Sequence, residues 1–207
     1  MSPLFSLANN KNGNSEDVRT LAINRLKPHF LNNILSTIYY LCDSDPQKAQ
    51  TITATFSEYL LGSLEALKTT DLVSFSWELG LIRSYLSLEK VRLEDKLAID
   101  YDVDITDFKV PPLSVLFLVE SAVKQGILGI ERKGTVKIST RRLAGGVIQI
   151  KVSDDGKPHE ESNRAQSEEI KKDFATVRSL VEQEIGGELS VSEKEGGGTE
   201  AVITIKP

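Results

Sequence analysis

Arg25-Leu26-Lys27-Pro28-His29-Phe30-Leu31-Asn32-Asn33-Ile34-Leu35 is the stretch on which the reading of this 207-residue chain turns. Taken as a helix, Ile23, Leu26, Phe30, Ile34, Ile38 and Leu41 form one apolar stripe, broadened by Leu31 and Leu35. His29 lies off that stripe, and Asn33, one turn later, shares its side. The helix therefore packs one face and offers an imidazole and a carboxamide on another. A solvated surface histidine is the ordinary reading of such a residue. Pro28 directly before it removes a backbone bond and crowds the carbonyl of Asn24, so a helix running through it starts or kinks there.

Composition narrows the class. The chain is 40% hydrophobic and 27% charged, the balance of a soluble globular protein. The formal charge of −5 and the lack of a Lys/Arg block speak against a nucleic-acid binder. One cysteine, Cys42, excludes a disulfide framework, and two histidines with no carboxylates at telling positions make no zinc site. No apolar run approaches the roughly 20 residues of a membrane span, and Met1 opens no signal peptide. A cytoplasmic protein, or the cytoplasmic part of a longer one, is expected.

Residues 1–16 are polar and Asn-rich and read as a flexible tail. A first helix is expected from about Asp17 to Leu41. Asp45-Pro46 reads as a cap and first turn, opening a second helix to about Lys68 on Ala49, Ile52, Phe56, Leu60, Leu64 and Leu67. So short a connection makes the two helices antiparallel neighbours. Stripes this broad are covered economically by a second copy in a four-helix bundle, so a homodimer is expected. Packing of both helices on the rest of the same chain is the competing solution. Ser76 is the expected cap of a third helix carrying Trp77, Leu81, Tyr85, Leu88 and Val91.

From Leu97 the pattern becomes mixed. Leu97–Val103 alternates as a strand, and Pro111-Pro112 opens an apolar helix from Leu113 to about Ile127. Strands 135–141 and 147–152 flank Leu143-Ala144-Gly145-Gly146. A helix from Ser167 to about Ile185 ends on Gly186-Gly187, and strands 189–192 and 201–205 close the pattern. The expected fold is α+β: a helical hairpin over residues 17–70, then a sheet with helices on one face over residues 71–207.

Pro28-His29-Phe30-Leu31-x-Asn33 resembles the phospho-acceptor motif of LytS/YehU-type sensor histidine kinases, Pro-His-Phe-Leu-Phe-Asn. Glu78-Leu79 and Tyr85-Leu86-Ser87-Leu88-Glu89-Lys90-Val91-Arg92 resemble that family's Glu-Leu and Tyr-Leu-x-Ile-Glu-x-x-Arg. The order of elements after Leu97 is similar to the GHKL (Bergerat) ATP-binding domain, an α/β sandwich. The resemblance covers residues 21–207.

Four nucleotide boxes follow. Leu118-Val119-Glu120-Ser121-Ala122-Val123-Lys124-Gln125-Gly126 resembles Leu-Val-Glu-Asn-Ala-x-x-His-Gly, with Ser121 where the family's Mg²⁺-coordinating Asn stands and Gln125 for the His. The resemblance gives Glu120 a water- or proton-orienting role, Lys124 a phosphate and Ser121 the metal. An incidental i,i+4 pair on a core helix fits the same residues. Asp154-Asp155-Gly156-Lys157-Pro158 resembles Asp-Asn-Gly-x-Gly, with Asp154 on the adenine amino group and Pro158 in place of the second glycine. A plain Asp-Gly turn is the alternative. The lid, Gly-x-Gly-Leu in the family, corresponds to Glu169–Arg178, which holds no glycine. Lys171-Lys172 offers point charges instead, or simply a solvated helix start. Gly196-Gly197-Gly198-Thr199 matches the closing Gly-x-Gly-Thr; a flexible hairpin loop fits it equally.

The resemblance implies a two-component histidine kinase: His29 phosphorylated by ATP with Mg²⁺, Asn33 orienting the imidazole, Gly156, Gly198 and Thr199 lining the nucleotide site, and a response-regulator receiver domain as partner. The altered boxes imply weakened or lost ATP binding. They leave open a histidine phosphotransferase in a phosphorelay, and a non-catalytic dimeric scaffold or regulator.

Overall fold

The computed structural model describes residues 28–66, 68, 69, 71–128, 130–156 and 164–206. The expected tail, the helix before Pro28 with Ile23 and Leu26, the crowding at Asn24, Leu67, Pro158 and His159 lie outside the described residues.

Helix α1 (Pro28–Ser44) buries Phe30, Ile34 and Leu41, the expected stripe, and leaves His29 exposed. Asp45 caps α2 (Pro46–Ala66), its carboxylate accepting the Lys48 N–H at 3.0 Å. The buried seam of α2 departs from the expected one after Phe56. It runs Ala49, Ile52, Phe56, Tyr59, Ser63, Ala66, while Leu61 and Leu64 face outward. Steps of three and four keep that line straight along the helix, a coiled-coil-like seam. Its small members let α3 (Phe75–Leu93) approach closely; a Cβ on Gly62 would overlap the Leu81 side chain. Both hairpin helices thus pack on α3 of the same chain, the competing solution to a second copy for this stripe.

Ser74, not Ser76, caps α3: its hydroxyl accepts the Trp77 N–H, and Ser76 donates to it. The start is fixed two residues earlier than expected because strand β1 (Val73–Ser74) pairs with β3 (Lys109–Val110). Helix α3 buries about half of its circumference, including Leu79, Ile82, Leu86 and Leu88, and exposes Ser76, Gly80, Arg83, Ser87 and Lys90 on the other side. It also carries the cap of α4 (Ser114–Ser121). The fully buried Glu78 accepts the N–H groups of Val115 and Leu116 at 2.6 and 2.9 Å, satisfying two donors that begin that helix. Leu113 precedes it in the left-handed region, φ 65°.

The sheet has the order β2-β4-β5-β7-β6, with β2 (Leu97–Val103) parallel to β4 (Gly134–Arg142) and antiparallel pairs among β5 (Ile148–Asp154), β7 (Thr199–Ile205) and β6 (Glu188–Glu193). Cross-strand partners Val136↔Asp154, Ile138↔Val152, Ile150↔Ile203 and Leu189↔Ile203 share the buried face. The other face carries ion pairs of Lys137 with Asp100 and Asp102, and of Arg141 with Asp102. Helix α5 (Arg164–Ile185) ends at Gly186, φ 57°, the expected C-cap. The whole is α+β, a helical hairpin joined to a helix-covered mixed sheet.

Candidate functional site

Strand β5 ends on Asp154, on the helix-covered face of the sheet and 2% exposed. Its Oδ1 accepts the Gly156 N–H at 2.8 Å and its Oδ2 the Thr199 N–H at 3.2 Å. Lys194 donates to its carbonyl oxygen at 3.0 Å. Burial holds the carboxyl above its ordinary pKa, and the two N–H groups and Lys194 pull against that. Glycines make the fit: a Cβ on Gly126 would overlap the Asp154 carboxylate, and one on Gly198 the Asp154 backbone.

Above Asp154 lies a narrow cleft of only about 20 Å³, formed by Ser121, Gln125, Thr199, Phe174 and apolar neighbours. After Ser121 the backbone widens into a π-helical turn, Ala122–Ile127, which swings Gln125 and Gly126 towards β5. So the sequence-selected Ser121, Asp154 and Thr199 meet at one cleft, with Gly156 and Gly198 closing around Asp154. The glycine-free lid stretch is continuous helix within α5. Lys171 and Lys172 are exposed and do not line the cleft, whereas Phe174 does, edge-on to Phe117 at 5.1 Å.

Glu120 and Lys124 face elsewhere. Glu120 is 4% exposed and absent from the cleft wall; its Oε1 accepts the Tyr59 hydroxyl at 3.1 Å, and its Oε2 binds Lys124 Nζ at 3.0 Å. His29 and Asn33 form a third locus on the outer side of α1. Asn33 Nδ2 stands 3.3 Å from His29 Nδ1. Rotating that carboxamide half a turn brings Oδ1 there instead, which accepts from Nδ1–H and leaves the Nε2 lone pair directed outward. Among the described residues no cluster of His, Cys, Asp and Glu is arranged to hold a metal ion, and no helix is long and apolar enough to cross a membrane.

A family model described as histidine kinase matches residues 20–97, the hairpin and α3. The Bacillus subtilis protein YwpD is 39% identical over 133 residues, 64% of this chain and 48% of its own length. The sensor histidine kinase YpdA of Escherichia coli is 33% identical over 144 residues, 69% of this chain and 25% of its own. LytS, a sensor protein of Staphylococcus saprophyticus, is 28% identical over 75% of this chain and 27% of its own. This chain carries a LytS-type histidine-kinase core. It spans half or less of the length of those relatives. In fold, the core is like the histidine kinase domain of the blue-light activated histidine kinase EL346 from Erythrobacter litoralis, at 17% identity with a TM-score of 0.50, covering 95% of this chain and 93% of that one.

Within the histidine-kinase core, sequence reasoning missed Phe174 as a cleft residue and Lys194 as a ligand of the Asp154 carbonyl. Phe174 opens an apolar line, Phe174, Val177, Leu180, Val181, whose spacing marks the packed face of the helix. Nothing in the loop sequence singles out Lys194.

Proposed function

We propose that this protein is a two-component histidine kinase that phosphorylates His29 from ATP and passes the phosphoryl group to an aspartate of a response-regulator receiver domain. The observation that carries the reading is the exposed His29–Asn33 pair on a helix whose opposite face is packed against the cleft-bearing half. Nε2 attacks the γ-phosphorus, the bond to the bridging oxygen breaks, and ADP leaves with that electron pair. Asn33 keeps the Nδ1 proton in place. The receiver aspartate then takes the phosphoryl group and His29 returns to neutral imidazole.

Asp154 fits the adenine end: a buried carboxylate with two oxygens, each holding one backbone N–H, retains lone pairs for an amino group. The Ser121 hydroxyl would be the protein's oxygen for Mg²⁺, which neutralises phosphate charge when bound. Two copies associate through the outward hairpin residues Leu35, Tyr39, Tyr40, Leu61 and Leu64, not through the stripe already covered by α3.

A second reading is favoured by Phe174 in the cleft and by a lid without glycines: a phosphotransferase in which His29 is charged by a phosphorylated receiver domain and ATP is not used. Radiolabelled ATP and a phosphorylated receiver domain, each mixed with the protein, separate the two. An acid-labile, base-stable label from either donor, lost in His29→Ala, supports phosphoryl carriage, and the donor decides between kinase and relay. Absence of label from both donors refutes both.

A further inference from the structure

Phe30, the residue after His29, sits against two buried tyrosines, Tyr59 at 5.5 Å and Tyr85 at 5.7 Å between ring centres. Each tyrosine hydroxyl ends on a buried carboxylate. Tyr85 meets Glu89 at 3.2 Å, within α3, where Arg92 also binds that carboxylate. Tyr59 meets Glu120 at 3.1 Å, and this bond runs from the hairpin to α4, 61 residues away. A phenylalanine would fill the same aromatic slot. The hydroxyl is tolerated in a fully buried position because a carboxylate receives it, and a bond to a charged acceptor is stronger than one between neutral groups. Lys124, one turn further along, holds the other oxygen and balances the charge. Glu120 and Ser121 are successive helical residues and so point to different sides, one to the hairpin and one to the cleft.

We infer that Tyr59 is a positioning residue: its hydroxyl, through Glu120, ties the His29 hairpin to the helix whose next residue lines the cleft. Any shift of α4 as the cleft opens or fills is carried to α2, and through the Tyr59–Phe30 contact to the residue beside His29. The inference rests on the reading of His29 as the phosphoryl acceptor for what it says about activity, and on the geometry alone for what it says about docking.

The test uses the full chain, Tyr59→Phe, Glu120→Ala and the double variant, with two readouts. Amide hydrogen exchange reports docking. Each single variant should exchange at least tenfold faster in α1 and α2, about 1.4 kcal/mol, with amides of β4, β5 and β7 unchanged. The double variant should be within twofold of Glu120→Ala, which has already removed the bond that Tyr59→Phe removes, along with the Lys124 pair. Labelling of His29 reports positioning. In Tyr59→Phe, labelling by phosphoramidate, a small donor that needs no cleft, should be unchanged. Labelling by ATP should fall at least tenfold at unchanged ATP affinity, a split that general loss of stability does not produce. Unchanged exchange in the hairpin, equal acceleration of hairpin and sheet, or full ATP labelling on a loosened hairpin overturns the inference. A wild-type chain labelled by phosphoramidate but not by ATP removes the kinase reading instead, and the exchange pattern then decides the tie by itself.

Discussion

Replacing Glu78 by alanine strikes the fold where α3 supports α4. Its Oε1 receives two N–H groups at 2.6 and 2.9 Å in a fully buried place, so no water replaces it without rearrangement. Leaving a buried donor without an acceptor costs about 1–3 kcal/mol, so two cost about 2–6 kcal/mol. Glu78→Gln keeps an oxygen at the same distance and loses only the attraction of a charge for the helix N-terminus, at most about 2 kcal/mol in a buried setting. At the middle of that range, about 4 kcal/mol, alanine should therefore be the worse variant by at least about 2 kcal/mol, a large share of the 5–15 kcal/mol that typically holds a domain. Urea unfolding followed by circular dichroism reads this as a drop in midpoint at unchanged slope. If alanine and glutamine lie within about 0.5 kcal/mol of each other, the carboxylate is not the cap of α4 and the argument fails.

Phe174→Ala should tighten ATP binding at least fivefold by calorimetry, since an edge-on aromatic pair worth about 0.5–1.5 kcal/mol no longer opposes entry of the base; weaker binding would make Phe174 a wall of the site. Tyr85 has its phenol pushed well above the ordinary value by burial first, then by Glu89 and Glu120. A raised folded pKa means the unfolded chain releases this proton first, so stability is full below about pH 10 and falls above it by about 1.4 kcal/mol per pH unit. Tyr85→Phe should flatten that alkaline limb in urea titrations between pH 9 and 11, and an unchanged slope would deny it. Tyr39→Asp combined with Leu61→Asp, at sites 79% and 67% exposed, should leave a stable monomer by light scattering. Persistence of a dimer would place the contact elsewhere.

The sequence was most legible where side chains alternate or recur against a single partner surface. Strand β2 has the expected bounds, Leu97–Val103, and the Gly186 cap falls where its residue type put it. Legibility failed where a helix is shared. On α2 the large residues Leu60 and Leu64 mark one stripe, but α3 comes close along the small ones, so the seam follows Tyr59, Ser63 and Ala66. Ser76 looked like a cap because nothing local reveals that Ser74 lies in a strand paired with Lys109. At the cleft, Asp154, Ser121 and Thr199 were legible through the motifs they resemble. Their shared neighbour Phe174 and the sideways turn of Glu120 were not, because both depend on a π-helical turn and on a hairpin packed from a distant part of the chain.

Strand β7 follows β6 in the chain yet lies inward of it, between β5 and β6. During synthesis β5 therefore remains an open edge, with a row of unpaired backbone groups, until the ribosome has released the stretch through Ile205. The N–H of Thr199 that steadies Asp154 arrives with that strand. A nascent chain can carry a finished hairpin with His29 outward long before it has a cleft, so the His29 locus and the cleft mature in that order.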